Sequence, residues 1–305
     1  MSKIKFSGIY SALPTPLAED GTVNAEVAIR VMRDQLAQGV KGFYVAGGTG
    51  EGVLLHKEQR MAIAEAAVEA CRGRGQVIVH TGAINVEDAL ELTRHATAIG
   101  ADAISSILPS IYFSCSTGEI VSYYKELSAA THLPLLIYAN LNGAGGNILE
   151  IMTRLLAETG NVIGVKDTRA NYYEMWLLKQ LNGGDINIIN GPDESLLCGL
   201  SIGADAGIGT TYNIMPRWFV ELFNRFRAGD MKGALELQSS INRVIKVLCD
   251  WSSECSIISS VKEVLRLQGY DMPVMARPLR RFPSEKSAAF KAALEKAGYP
   301  FFAKD

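Results

Sequence analysis

The side chains best suited to chemistry fall in short stretches scattered along the chain. Lys166 stands in Gly164-Val165-Lys166-Asp167-Thr168, closing an apolar run that begins at Asn161. A run of that length, β-branched and with a polar exit, reads as a buried parallel strand. A lysine at its carboxyl end keeps its stem among apolar groups and its amine at the mouth of the sheet. Burial disfavours the ammonium, so the amine is poised for Schiff-base formation with a carbonyl substrate. The alternative is a lysine that closes a strand and snorkels to water. Ala46-Gly47-Gly48-Thr49-Gly50-Glu51 offers backbone N–H groups and the Thr49 hydroxyl to a small carboxylate or phosphate, or else a plain flexible turn. Tyr138 brings a phenol able to relay a proton, or a ring packed in a core. Asn190-Gly191-Pro192-Asp193-Glu194 sets adjacent carboxylates where they could hold a polyol, and equally where Asp193 could cap a helix. Gly207-Ile208-Gly209-Thr210-Thr211 leaves room for a ligand, or for close strand–helix packing.

These stretches need elements to bring them together, and the chain supplies a regular alternation. Apolar runs predict strands at 7–13, 42–46, 76–81, 103–108, 134–138, 162–166, 186–189 and 206–209. Helical patterns separate them at 24–38, 57–72, 86–99, 117–131, 148–158, 172–181 and 194–202, with Asn24 placed to cap the first. Strand–helix alternation implies a parallel sheet with right-handed crossovers, and eight units imply a closed (β/α)8 TIM barrel. An open doubly wound sheet would carry a glycine-rich fingerprint after its first strand, where this chain reads Ala12-Leu13-Pro14-Thr15-Pro16. Beyond the eighth strand only helical patterns follow, at 216–228, 231–249, 256–267 and 284–296. The expected organisation is an α/β barrel over 1–215 with an appended C-terminal helical bundle over 216–305 packed on it. In such a barrel the strand carboxyl ends, where the stretches above lie, form the active site.

Bulk properties narrow the function. The chain has 305 residues, 48% hydrophobic and 20% charged, with a net charge of -2. No long basic run points to nucleic acid, and no apolar run is long enough to span a bilayer. The first residues lack the apolar core of a signal peptide. The five cysteines are scattered without a Cys-x-x-Cys pair, which argues against zinc or a disulfide framework and suits the cytoplasm. The four histidines show no metal-ligand spacing, so no metal site is expected.

Gly48-Thr49-Gly50-Glu51, Tyr138 and Gly164-Val165-Lys166-Asp167-Thr168, in this order and spacing, resemble the N-acetylneuraminate lyase and dihydrodipicolinate synthase family of class I pyruvate aldolases. The resemblance runs from Phe6 to the C-terminal helices. It implies a Schiff base between Lys166 and pyruvate, with Gly48 and Thr49 holding the pyruvate carboxylate and Tyr138 as proton relay. It also implies no metal or organic cofactor, small-molecule substrates only, and a homotetramer. The segment from Gly203 to Met215, the Asn190–Glu194 stretch and Thr168 resemble the sialic acid lyase branch. That likeness implies a sugar-tail pocket of Thr168, Gly191, Asp193, Glu194, Gly209 and Thr210. The synthase branch carries an arginine soon after the tyrosine to bind a second carboxylate, whereas Tyr138 is followed by Ala139-Asn140-Leu141-Asn142-Gly143-Ala144-Gly145-Gly146.

Two positions depart from the family pattern. A serine usually precedes the threonine where this chain has Gly48. The Pro-Tyr-Tyr stretch that lends a relay tyrosine to the neighbouring subunit reads Pro109-Ser110-Ile111-Tyr112-Phe113, which puts Ile111 at the relay position and Tyr112 one step away. A relay missing two hydroxyls costs roughly 10²-fold or more in rate, or marks another substrate. The reading that results is an aldolase cleaving a 2-keto-3-deoxy sugar acid, foremost N-acetylneuraminate, to pyruvate and N-acetylmannosamine. The alternatives are an aldolase for 2-keto-3-deoxygluconate or another short keto acid, a dihydrodipicolinate synthase-like enzyme, or a pyruvate- or sugar-binding regulator without turnover.

Overall fold

Eight parallel strands pair in chain order and close into a barrel in the computed structural model of the chain, which describes residues 6–107, 114–140, 146–253 and 255–301. They are β1 Gly8–Ala12, β2 Gly42–Val45, β3 Gln76–His80, β4 Ala103–Ile107, β5 Leu135–Ala139, β6 Val162–Asp167, β7 Asn187–Asn190 and β8 Ala206–Gly209. Every strand lies where the apolar runs place it, to within one residue at either end. The helices between them are α1 Ala25–Ala37, α2 Lys57–Cys71, α3 Val86–Ala98, α4 Thr117–Ala129, α5 Ile148–Glu158, α6 Tyr172–Gln180 and α7 Leu196–Ser201. Then come α8 Pro216–Arg227, α9 Met231–Asp250, α10 Ile257–Leu267 and α11 Ser287–Lys296.

The helices start where side chains satisfy the unpaired first-turn amides. Asn24 accepts from Val27 N at 3.2 Å, Ser116 forms a capping box with Glu119, and Asn147 accepts from Leu149 N at 2.9 Å. α8 opens on Pro216, whose missing N–H costs nothing in the first turn. The seventh helix departs from expectation. It begins as a 3-10 turn over Asp193–Ser195, and Asp193 caps nothing in its own helix. Its carboxylate is drawn instead to the backbone and hydroxyl of Thr211, each at 2.6 Å. The last helix is likewise preceded by a 3-10 turn, Ser284–Lys286.

Period-two alternation sorts the strand side chains into two layers. Tyr10, Tyr44, Ile78, Leu136, Ile163, Ile189 and Ile208 fill the barrel. Phe43, Val45, Val79, Ile137 and Val165 face outward into the larger core shared with the helices. α9, α10 and α11 contribute Ile241, Val244, Val264, Phe290 and Leu294 to that same core.

β6 breaks the alternation at one point. Leu135 pairs with Val162, but Leu136 pairs with Gly164, so Ile163 is an extra residue in a bulge. The bulge resets the phase of the strand. Ile163 and Lys166 are three residues apart, an odd interval that an unbroken strand would send to opposite faces, yet Ile163 is inside and Lys166 sits opposite the inward Tyr138. At the same residue β6 runs close to β7, where a Cβ on residue 164 would run into the Asn187 carbonyl. Gly164→Ala is therefore expected to lower the melting temperature by roughly 5–10 °C through overpacking against backbone. Calorimetry checks this, and an unchanged melting temperature would contradict the close approach.

Candidate active site

Lys166 ends β6 on the inner face and is only 6% exposed. Its backbone neighbour across the ladder is Tyr138, the inward residue near the end of β5. The amine lies 3.7 Å from the centroid of the Tyr138 ring and 4.9 Å from that of Tyr44 on β2. His80, at the end of β3, completes an aromatic wall, its ring centroid 6.1 Å from Tyr138 and 6.0 Å from Tyr44. Lysine, both tyrosines and histidine are all buried.

Their surroundings drive the two phenols apart in acidity. The adjacent Lys166 ammonium favours the phenolate and holds Tyr138 below the usual tyrosine range. Burial pushes Tyr44 well above it, and the Tyr44 hydroxyl donates to Ser105 Oγ at 3.2 Å. Two phenols thus flank one amine, one prepared to give up its proton and the other to keep it. Burial, with the charges of Arg60 and Lys166, pushes His80 far below its ordinary value. The neutral imidazole accepts from Ile107 N through Nε2 at 3.2 Å, at the exit of β4. Arg60, buried on α2, donates to the His80 carbonyl at 2.7 Å.

The turns around this centre come from β2 and β8. Thr49 and Thr210 meet hydroxyl to hydroxyl at 2.6 Å. Gly48 is exposed, and a Cβ there would meet nothing within 4 Å. Gly191 lies against Thr168, so closely that a Cβ would strike the Thr168 hydroxyl oxygen. Gly209 lies in the same way against the Asp193 carboxylate. Five of the expected tail-pocket residues therefore form two linked contacts, Thr168 with Gly191 and Asp193 with Gly209 and its neighbour Thr210. The acidic pair divides: Asp193 is buried and Glu194 exposed. Tyr112 and Ile111 lie outside the described residues. Among the described residues no group of three or more histidine, cysteine, aspartate or glutamate side chains is arranged to hold a metal ion.

Tyr44, His80 and Arg60 are site residues that motif reading missed. The signal for the first two was present, since alternation puts both on the inward face near the ends of their strands. Arg60 is one polar residue on a helix, and nothing local marks it as buried.

Known proteins share this architecture and sequence. A sequence model of the Dihydrodipicolinate synthetase family matches residues 5–297. The N-acetylneuraminate lyase of Rhizobium meliloti strain 1021 is 34% identical over 291 residues, 95% of this chain and 95% of the relative. Among solved structures, the Proteus mirabilis N-acetylneuraminate lyase superposes with a TM-score of 0.90 at 30% identity, covering 97% of this chain and 100% of that one. A catalytic lysine mutant of the Ruminococcus gnavus sialic acid aldolase superposes with a TM-score of 0.90 at 29% identity, covering 97% and 98%.

Asp193 makes the pH dependence of stability testable. Burial lifts its carboxyl from 3.8 to about 6, against the hydrogen bonds from Thr211 that oppose the shift. The native state then binds more protons than the unfolded chain between those values, so this group's contribution to stability grows as pH falls through about 6. On going from pH 8 to pH 5 the wild type should gain about 1.4 kcal/mol relative to Asp193→Asn. Denaturant unfolding of both proteins at both pH values measures it, and parallel pH profiles would rule it out.

Proposed function

We propose that this chain, which belongs to the dihydrodipicolinate synthetase family, is a class I aldolase that cleaves N-acetylneuraminate to pyruvate and N-acetylmannosamine. The observation that carries the chemistry is the register pair Tyr138–Lys166, with the amine 3.7 Å from the phenol ring centroid. The relatives named as N-acetylneuraminate lyases and sialic acid aldolases support the substrate.

Lys166 must lose a proton before it can attack, and the acidified Tyr138 is the adjacent group able to carry it. The amine adds to the C2 carbonyl of the open-chain sugar acid, and Tyr138 returns its proton to the departing hydroxyl, so that water leaves, the protonated Schiff base forms and Tyr138 is again a phenolate. Tyr138 as phenolate takes the proton of the C4 hydroxyl. The C3–C4 bond then breaks, its electrons pass into the iminium, and the aldehyde sugar departs. Protonation at C3 and hydrolysis release pyruvate and return Lys166. No outside oxidant, metal or organic cofactor is required, since the Schiff base itself is the electron sink. Gly48 and Thr49 supply N–H and hydroxyl donors for the pyruvate carboxylate, and Thr210, bonded to Thr49, stands between them and the tail pocket. Thr168, Gly191, Asp193, Glu194 and Gly209 border the polyol tail, with the ionised Asp193 as acceptor. The lack of an arginine after Tyr138 speaks against a substrate with a second carboxylate at that place.

A homotetramer fits the large apolar side chains left exposed on this chain. Val53 and Ile84 follow β2 and β3, and Tyr173 stacks on Trp176 along α6. A cytoplasmic setting suits the scattered cysteines.

Lys166→Ala removes the nucleophile and leaves the core, so cleavage of N-acetylneuraminate should fall to background while the circular dichroism spectrum stays unchanged. Near-normal turnover in that variant would sink the Schiff-base reading. Gly48→Ser restores the family hydroxyl in open space. It should leave the melting temperature unaltered and raise kcat for cleavage by about 10-fold, read from steady-state kinetics. A slower or unchanged enzyme would mean that this hydroxyl has no place in the relay.

A further inference from the structure

The turns that present Thr49 and Thr210 are both tied to the chain that follows the barrel. In the β2 turn, Glu51 adopts a left-handed backbone at φ 59, a region that non-glycine residues enter only when their surroundings hold them. Its side chain does the holding. One carboxylate oxygen is 2.5 Å from Lys262 Nζ on α10, and the other accepts the Ala276 N–H at 2.6 Å. Lys262 also donates to the Val274 carbonyl at 2.7 Å, and both charged side chains are essentially sealed from water, at 1% and 0% exposure. Thr15 Oγ1 donates to the Gly50 carbonyl at 2.7 Å from the β1 side.

The β8 turn is tied by a second route. Asn213 donates to the Thr210 carbonyl at 2.8 Å and to the Ala12 carbonyl at 2.6 Å. The next residue, Ile214, has its carbonyl bound at 2.7 Å by the buried hydroxyl of Tyr299, just beyond α11. Gln268, at the end of α10, donates to that same hydroxyl at 2.7 Å. The two turns meet at the Thr49–Thr210 contact, and α10 reaches both.

We propose that α10 and the chain beyond it form a clamp that sets the Thr49–Thr210 pair, with Lys262 and Tyr299 as positioning residues for the carboxylate-binding turns. This rests on the assignment of the pyruvate carboxylate to Gly48 and Thr49. The post-barrel segment is then part of the binding machinery, although it lies outside the barrel.

The test pairs two variants with two readouts. The double variant Glu51→Gln/Lys262→Met removes both buried charges together, so neither is left unpaired and the protein is expected to fold. Its KM for pyruvate in the condensation direction should rise about 10-fold with kcat within about 3-fold, because a misplaced turn weakens binding more than bond making. Hydrogen exchange should quicken in peptides covering residues 47–55, while the barrel strands stay protected. Tyr299→Phe removes one hydroxyl and should raise the same KM by about 3-fold, with faster exchange across 209–216. A folded double variant with wild-type KM and wild-type exchange in the turn would overturn the clamp. If the double variant does not fold, Tyr299→Phe decides alone, and unchanged KM and exchange there overturn it. If the wild type shows no pyruvate-dependent condensation, the assignment of the site fails, and the exchange data still decide whether α10 holds the turns.

Discussion

An amine buried against two phenol rings is the constraint on which the rest of this structure depends. Lys166 is nearly sealed from water, 3.7 Å from the centre of one ring and 4.9 Å from the other. Removing an ammonium from water is costly unless something nearby favours its charge. Both ring faces lie within cation–π reach of the amine. The same charge acidifies Tyr138, whereas burial makes Tyr44 a weaker acid. One geometric fact thus separates the two phenols in acidity and couples the more acidic one to the amine. The neutral His80, backed by Arg60, finishes the wall without adding a second charge beside the amine.

Everything around this pair serves to keep it in register. The barrel makes Tyr138 and Lys166 neighbours across one ladder, and the bulge at Ile163 lets the lysine turn inward although an inward isoleucine lies three residues before it. Gly164, beside that bulge, tolerates the close approach of β7. The turns that carry Thr49 and Thr210 are fixed more indirectly. They meet directly at Thr49 and Thr210, and the β2 turn is bound to α10 by the buried Glu51–Lys262 ion pair. Such a pair contributes little net stability against a well-packed apolar substitute, but it holds a turn in one arrangement.

The sequence made some of this plain and hid the rest for physical reasons. Strand positions were legible because a parallel strand buried on both faces leaves an uninterrupted apolar run. Lys166 and Tyr138 were legible because they interrupt such runs at their carboxyl ends. Glu51 was visible as part of a motif, but its partner lies more than two hundred residues away, and no local pattern announces an ion pair across that distance. Asp193 and Glu194 read as a matched pair in sequence. The 3-10 turn that starts there points one into the protein and leaves the other in water. The bulge in β6 was hidden as well, because one extra apolar residue in an apolar run changes nothing in composition.

The most direct test of the central claim is to reduce the wild-type protein with borohydride in the presence of pyruvate and map the modified peptide by mass spectrometry. A reduced pyruvyl adduct is expected on Lys166 and on no other lysine. A folded protein that gives no adduct, or one that carries it elsewhere, would contradict the account, because the buried amine beside Tyr138 would then not be the nucleophile.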